Sequence, residues 1–180
     1  DNGADSGSAY IFTRSGNTWT EQAKLLPADG TADANFGSSV ALDGDTALVG
    51  AHQDDDNGGY SGSAYIFTRT GGSWTEQAKL LPAAWDGGNN FGSSVALDGD
   101  TALVGAENAL VKAQSGSAYN SGSAYIFTRT GNTWTEQARL LASDGAPSDA
   151  FGYSGALDGH TALVGAKHHD DNGTGSGAAY

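Results

Sequence analysis

A sixteen-residue pattern, Phe-Gly-x-Ser-x-Ala-Leu-Asp-Gly-x-Thr-Ala-Leu-Val-Gly-Ala, starts at Phe36, Phe91 and Phe151. A second block, Ser-Gly-Ser-Ala-Tyr-Ile-Phe-Thr-Arg, starts at Ser6, Ser61 and Ser121, and resumes as Ser-Gly-Ala-Ala-Tyr at Ser176. Its tyrosines, 10, 65, 125 and 180, are spaced 55, 60 and 55 residues apart. A period of this size means one supersecondary unit copied in tandem, each copy burying its apolar faces against its neighbours.

One unit reads as four strands. Residues 36–42 carry Val40 and Leu42 in phase with small residues between, and form strand A. Asp43-Gly44 is a strong two-residue hairpin signal. Residues 46–51 are apolar on both faces, as a strand covered on both sides must be, and form strand B. After a polar loop, residues 64–70 are aromatic and β-branched, which suits a pleated surface. Gly71-Gly72 turns this strand C into strand D, residues 74–81. Simple alternation along D puts Trp74, Ala78 and Leu80 on one face and Thr75, Gln77 and Lys79 on the other. Pro82 ends it, having no N–H to give a ladder. No segment has a helical period.

Repeated four-stranded antiparallel meanders predict an all-β chain built as β-propeller blades. A β-sandwich uses similar strands but accounts less well for the repetition. The chain reads as one array, residues 1–180. Residues 1–26 give strands C and D of a first blade, 36–81 and 91–141 are full blades, and 151–180 give strands A and B with the start of C. About three blades is fewer than the roughly 4–8 of a closed ring, so the ring is incomplete within this chain. Either the rest lies in a longer array, or two copies pair as a homo-oligomer, a dimer closing a six-bladed ring. Both ends contain the start of strand C and therefore overlap. The chain opens on Asp1 with no leader, as a mature product or an excerpt would.

Eight basic and 21 acidic residues give a net charge of -13. That sign repels nucleic acid and anionic membrane surfaces, and no apolar run reaches the ~18 residues a membrane helix needs. The absence of cysteine removes disulfide and thiol chemistry.

Phe36-Gly37 with Gly50-Ala51, Phe91-Gly92 with Gly105-Ala106, and Phe151-Gly152 with Gly165-Ala166 resemble the FG-GAP repeats of integrin α subunits and of many prokaryotic surface proteins. The resemblance implies a β-propeller module for adhesion or ligand recognition, extracellular or at the cell surface, stabilised by calcium. The proline that closes the family's Gly-Ala-Pro is replaced by His52, Glu107 and Lys167. The family's calcium loop between strands A and B is here only Asp43-Gly44-Asp45 and its equivalents. Such a hairpin cannot wrap an ion that takes 6–8 oxygens, so the family's calcium site does not transfer.

The B–C loops offer the candidate metal ligands. Asp54, Asp55, Asp56 and Asn57 align with His169, Asp170, Asp171 and Asn172. Carboxylates, an amide oxygen and a turn glycine are hard-cation donors. The same Asp-Asn-Gly also forms a plain turn through its own side-chain bonds. His168-His169 beside Asp170-Asp171 offers nitrogen donors for a transition metal. The middle B–C loop is five residues longer and carries Leu110 and Val111; Trp85 is unique among the D–A loops. These three are candidate contacts for a protein or glycan partner. Trp19, Trp74 and Trp134, with Tyr10, Tyr65 and Tyr125, recur once per blade and read as packing. Asn172-Gly173-Thr174 is a lone glycosylation acceptor pattern.

No nucleophile context or unrepeated acid–base pair appears, so the expected function is non-catalytic recognition. The alternative is a self-associating matrix or filament subunit joined through open blade edges.

Overall fold

The half-buried, turn-punctuated segments all become strands. The structure is a computed structural model describing residues 2–84, 88–112 and 118–180, with the side chains of Lys112 and Ala118 outside that description. A leading half-blade pairs β1 (Ala9–Ser15) with β2 (Thr18–Leu25). The first full blade runs β3 (Phe36–Asp43), β4 (Thr46–Ala51), β5 (Ser63–Thr70), β6 (Ser73–Leu80) in simple meander order. The second runs β7 (Phe91–Asp98), β8 (Thr101–Ala106), β11 (Ser123–Thr130), β12 (Thr133–Leu140). Between its strands B and C lies a separate ribbon of β9 (Leu110–Lys112) and β10 (Ala118–Asn120). The trailing sheet is β13 (Phe151–Asp158), β14 (Thr161–Ala166) and β15 (Ala178–Ala179). The fold is all-β and built of propeller blades.

In the two full blades strand B is buried on both faces because a sheet packs on each side of it. In β4, Ala47 and Val49 join Tyr65 and Phe67 against the leading half-blade, while Leu48 joins Ile66 and Leu80 against the second full blade. Phe36, Phe91 and Phe151, on strand A, each set their ring edge-on to a tyrosine of the strand C segment across strand B, at centroid distances of 5.5, 5.4 and 5.5 Å from Tyr65, Tyr125 and Tyr180. This confirms packing for Tyr65 and Tyr125, each 1% exposed. Tyr10 and Trp19 are instead 46% and 64% exposed, with no strands A and B beside β1 among the described residues.

The alternation expected along strand D is corrected by a bulge. Phe67 pairs with Glu76 but Ile66 with Ala78, so Gln77 is the extra residue. A bulge resets the period of two. Trp74 therefore packs toward the leading half-blade with Tyr65 and Phe67, while Ala78 and Leu80 face the opposite way.

The repeated motifs are the joints between blades. Gly92, at φ 90°, places its backbone against Ser63 of the preceding blade, and a methyl on Gly50 would run into the carbonyl of Gly92. The carboxylates of Asp43 and Asp98 accept the amides of Gly99 and Gly159 on the next A–B turn, at 2.7 and 2.6 Å. Trp74 and Trp134 donate from Nε1 to Gln22 and Gln77 of the preceding blade, at 3.3 and 3.1 Å. Glu76 and Glu136 accept the amides of Ala28 and Ala83, at 2.8 and 2.7 Å.

Candidate functional site

In the first full blade and the trailing sheet the B–C loop packs against the D–A loop that enters it: the Gln53 amide donates to the Ala34 carbonyl at 3.3 Å and the His168 amide to the Asp149 carbonyl at 3.1 Å. In the first full blade this contact encloses Asp54, which is 3% exposed. Its Oδ2 accepts from the Ser63 hydroxyl at 2.6 Å and the Tyr65 hydroxyl at 2.8 Å, and its Oδ1 accepts the Asp56 amide at 3.0 Å. The Lys79 ammonium lies 3.0 Å from Asp54, 2.9 Å from Asp29 and 2.5 Å from Asp56. Burial works against both charges. The Ser63, Asp56-amide, Lys79 and Tyr65 hydrogen bonds outweigh it at Asp54 and hold that carboxyl below its usual pKa. The bonds to Asp56, Tyr65, Asp29 and Asp54 hold the ammonium above its own. Burial and the neighbouring Asp54 push the Tyr65 hydroxyl up. Asp55 is exposed, and its carboxylate comes within 4.8 Å of those of Asp54 and Asp56; Asn57 is exposed.

The second full blade has different chemistry at the same place. Ala109 stands where Asp54 does and Arg139 where Lys79 does. Arg139 donates to the Ser123 hydroxyl at 3.0 Å and to the Leu110 carbonyl at 2.6 Å, and lies over the Tyr125 ring. Asn89, in the entering D–A loop, is fully buried, and neither its amide nitrogen nor its oxygen has a hydrogen-bond partner among the described residues. The ribbon carrying Leu110 and Val111 leans on the next D–A loop, with the Tyr119 hydroxyl donating to the Gly145 carbonyl at 3.1 Å. Trp85 lies outside the described residues.

In the trailing sheet His169 takes the place of Asp54 and is 4% exposed. Its Nδ1 is 2.8 Å from buried Asp149, and its Nε2 is 3.1 Å from Asp171 and 3.9 Å from Asp144. The Tyr180 hydroxyl donates to Asp144 at 2.5 Å. The Asp149 hydrogen bond, helped by Asp171, raises the imidazole's pKa against the effect of burial. Asp170 does turn work, its Oδ1 accepting the Gly175 amide at 2.6 Å.

Residues 19–67, 74–127 and 134–180 each match the FG-GAP repeat. The chain belongs to the FG-GAP repeat family. Each match runs from strand D of one sheet to strand C of the next, so the FG-GAP sequence unit straddles the joint between two blades. No curated protein matches the chain. The FG-GAP calcium loop does not fit the A–B turns here, where Asp45 pairs with Arg69 at 2.5 Å and Asp43 holds Gly99. Calcium also fits poorly at Asp54 and Asp56, whose carboxylates already surround a lysine.

Of the sequence candidates, Asp54, Asp55 and Asp56 bring their carboxylates together in one centre, Asp171 joins Asp144 and His169 in another, and Asp170, Asn57 and Asn172 are exposed turn residues. Lys79, Asp29, Asp144, Asp149 and Asn89 were missed as site residues. Aligning the repeats column by column shows the signal: Lys24, Lys79 and Arg139 form a basic column, and Asp29 and Asp144 an acidic one.

Proposed function

We propose that this FG-GAP chain is a non-catalytic recognition module at the cell surface, binding a protein or glycan ligand through the rim formed by its B–C and D–A loops. One observation carries the reading. A constant packed scaffold holds three different chemistries at one rim position: Lys79 among carboxylates, Arg139 on a backbone carbonyl, and a buried histidine with aspartates. Variation confined to loops on a fixed scaffold is the pattern of binding specificity. The reading does not require calcium, because Lys79 and His169 supply positive charge to the acidic clusters. The test is binding of the labelled chain to panels of immobilised glycans and matrix proteins. Binding abolished by Asp55→Ala or Val111→Asp, and kept by Asp45→Ala in the opposite turns, supports the rim. Binding that ignores the rim substitutions, or no binding at all, refutes it.

A further inference from the structure

The first full blade carries a cleft of about 430 Å³ at its rim, lined by Ala32 and Asp33 of the D–A loop and by Gln53, Asp55, Gly59 and Tyr60 of the B–C loop. The blade has a sheet packed on each side, so this opening does not depend on where the chain begins or stops. Both walls are pinned. The Asp33 amide donates to the Ala4 carbonyl at 2.9 Å, and the Tyr60 carbonyl accepts the Asn90 amide at 3.1 Å. Within the B–C loop the Gly58 amide donates to the Asp55 carbonyl at 2.9 Å, and the Ser61 amide to the Gly58 carbonyl at 3.0 Å. Walls held in this way lose little freedom when a ligand enters.

Tyr60 is the residue that local structure does not explain. Its φ is 53°, in the left-handed region, where a bulky side chain is disfavoured. The equivalent residues Asp5 and Gly175 have φ 51° and 64°, and both types tolerate that conformation. Packing does not account for the ring either, since Tyr60 is 62% exposed. The polar groups around it are uncommitted. Asn35 Nδ2 donates to Gln53 Oε1 at 2.5 Å, which fixes that amide and leaves its Nε2 donors to the cleft. The Tyr60 hydroxyl and the carboxylates of Asp33 and Asp55 have no hydrogen-bond partner among the described residues. Asp54 and Asp56, by contrast, are taken by Lys79.

We infer that this cleft binds a neutral saccharide, with one ring lying on the Tyr60 face and its hydroxyls donating to Asp33 and Asp55. An exposed aromatic face takes the C–H side of a sugar ring. A carboxylate accepts from two neighbouring hydroxyls, and bonds to a charged acceptor are the strong ones. Gln53 adds a donor for a sugar oxygen. Anionic glycans are disfavoured, because the charges lining the cleft are both negative. A protein ligand needs an apolar pocket for an anchoring side chain, and beside Tyr60 the lining offers only Ala32. The inference rests on reading the rim as a recognition surface, and narrows it to one blade and one class of ligand.

Titration of the 180-residue chain with short cello-, manno-, galacto- and chito-oligosaccharides, followed by NMR and calorimetry, tests it. Chelator is present throughout, so that no cation bridges sugar to carboxylate. One of these neutral sugars should bind, and its sulfated form should not. Tyr60→Asn, Asp33→Asn and Asp55→Asn should each weaken binding about tenfold. Tyr60→Phe keeps the ring and should bind within about threefold of the unsubstituted chain. Tyr60→Asn also puts a residue suited to positive φ at that place, so its urea midpoint should equal or exceed that of the unsubstituted chain. A packing role for Tyr60 predicts a fall instead, and a fall overturns the inference. So does sugar binding that ignores Tyr60→Asn, or binding confined to lysine-bearing peptides. Binding of an immobilised protein that Val111→Asp abolishes and Tyr60→Asn leaves intact, with no neutral sugar bound, overturns this inference and leaves the rim reading standing. No ligand in either format overturns both.

Discussion

The Lys79 ammonium sits 3.0 Å from the buried Asp54 carboxylate, and the two residues come from strand D and the B–C loop of one blade. Breaking a buried pair from one side strands the other charge. Lys79→Gln should therefore cost about 2 kcal/mol, less than a fully buried pair because Asp29 and Asp56 keep solvent contact. Urea unfolding measures it. The same variant frees the three carboxylates, so millimolar calcium should raise its unfolding midpoint and leave that of the unsubstituted chain in place.

His169 binds its proton more tightly folded than unfolded, chiefly through Asp149. A raised folded-state pKa gives stabilisation that is complete below the ordinary value of 6.5 and is lost as pH rises through the raised one. His52 has the opposite sign, its pKa lowered by burial. The contribution of His169 is therefore read by difference: the stability gap between the chain and His169→Gln should be full below pH 6.5 and shrink as pH rises above it. An NMR titration of the His169 ring gives the pKa directly, and a value at or below 6.5 contradicts the assignment.

Asn89 is the one fully buried amide whose two polar atoms both lack partners among the described residues. An unsatisfied buried polar group costs about 1–3 kcal/mol. The first full blade has Ala34 at the equivalent place, 3% exposed. Asn89→Ala should thus stabilise the chain by about 1 kcal/mol, seen as a higher urea midpoint at unchanged slope.

Gly92 combines a φ of 90° with the Ser63 carbonyl beside its α-carbon. Gly92→Ala pays both strain and a clash, and should lose about 2 kcal/mol or more. Gly44→Ala is the control, having a positive φ but open space around it, and should lose about 1 kcal/mol. Equal losses would show that the Phe-Gly motif serves local conformation alone.

Much of the fold was legible in the residues themselves. Asp43-Gly44 and Gly71-Gly72 announced their hairpins, and the apolar run at residues 46–51 announced a strand covered on both sides. The bulge at Gln77 was not legible, because no turn residue marks it and its effect shows only in the pairing of Phe67 with Glu76. The rim was legible only as a set of acidic loops. Asp54 was picked out for a metal, and its partner Lys79 was read as one outward step in an alternation.

The sequence by itself determined the repeat, the strands and the turns, because turn chemistry and a period of two act between residues a few places apart. Tertiary structure alone decided which charges meet. Asp29 and Lys79 are 50 residues apart in the chain, and their 2.9 Å contact exists because the D–A loop entering a blade folds over that blade's own B–C loop. Packing sets that convergence, and one substitution in the repeat, such as His169 for Asp54, changes what the assembled rim can hold without altering the strands beneath it.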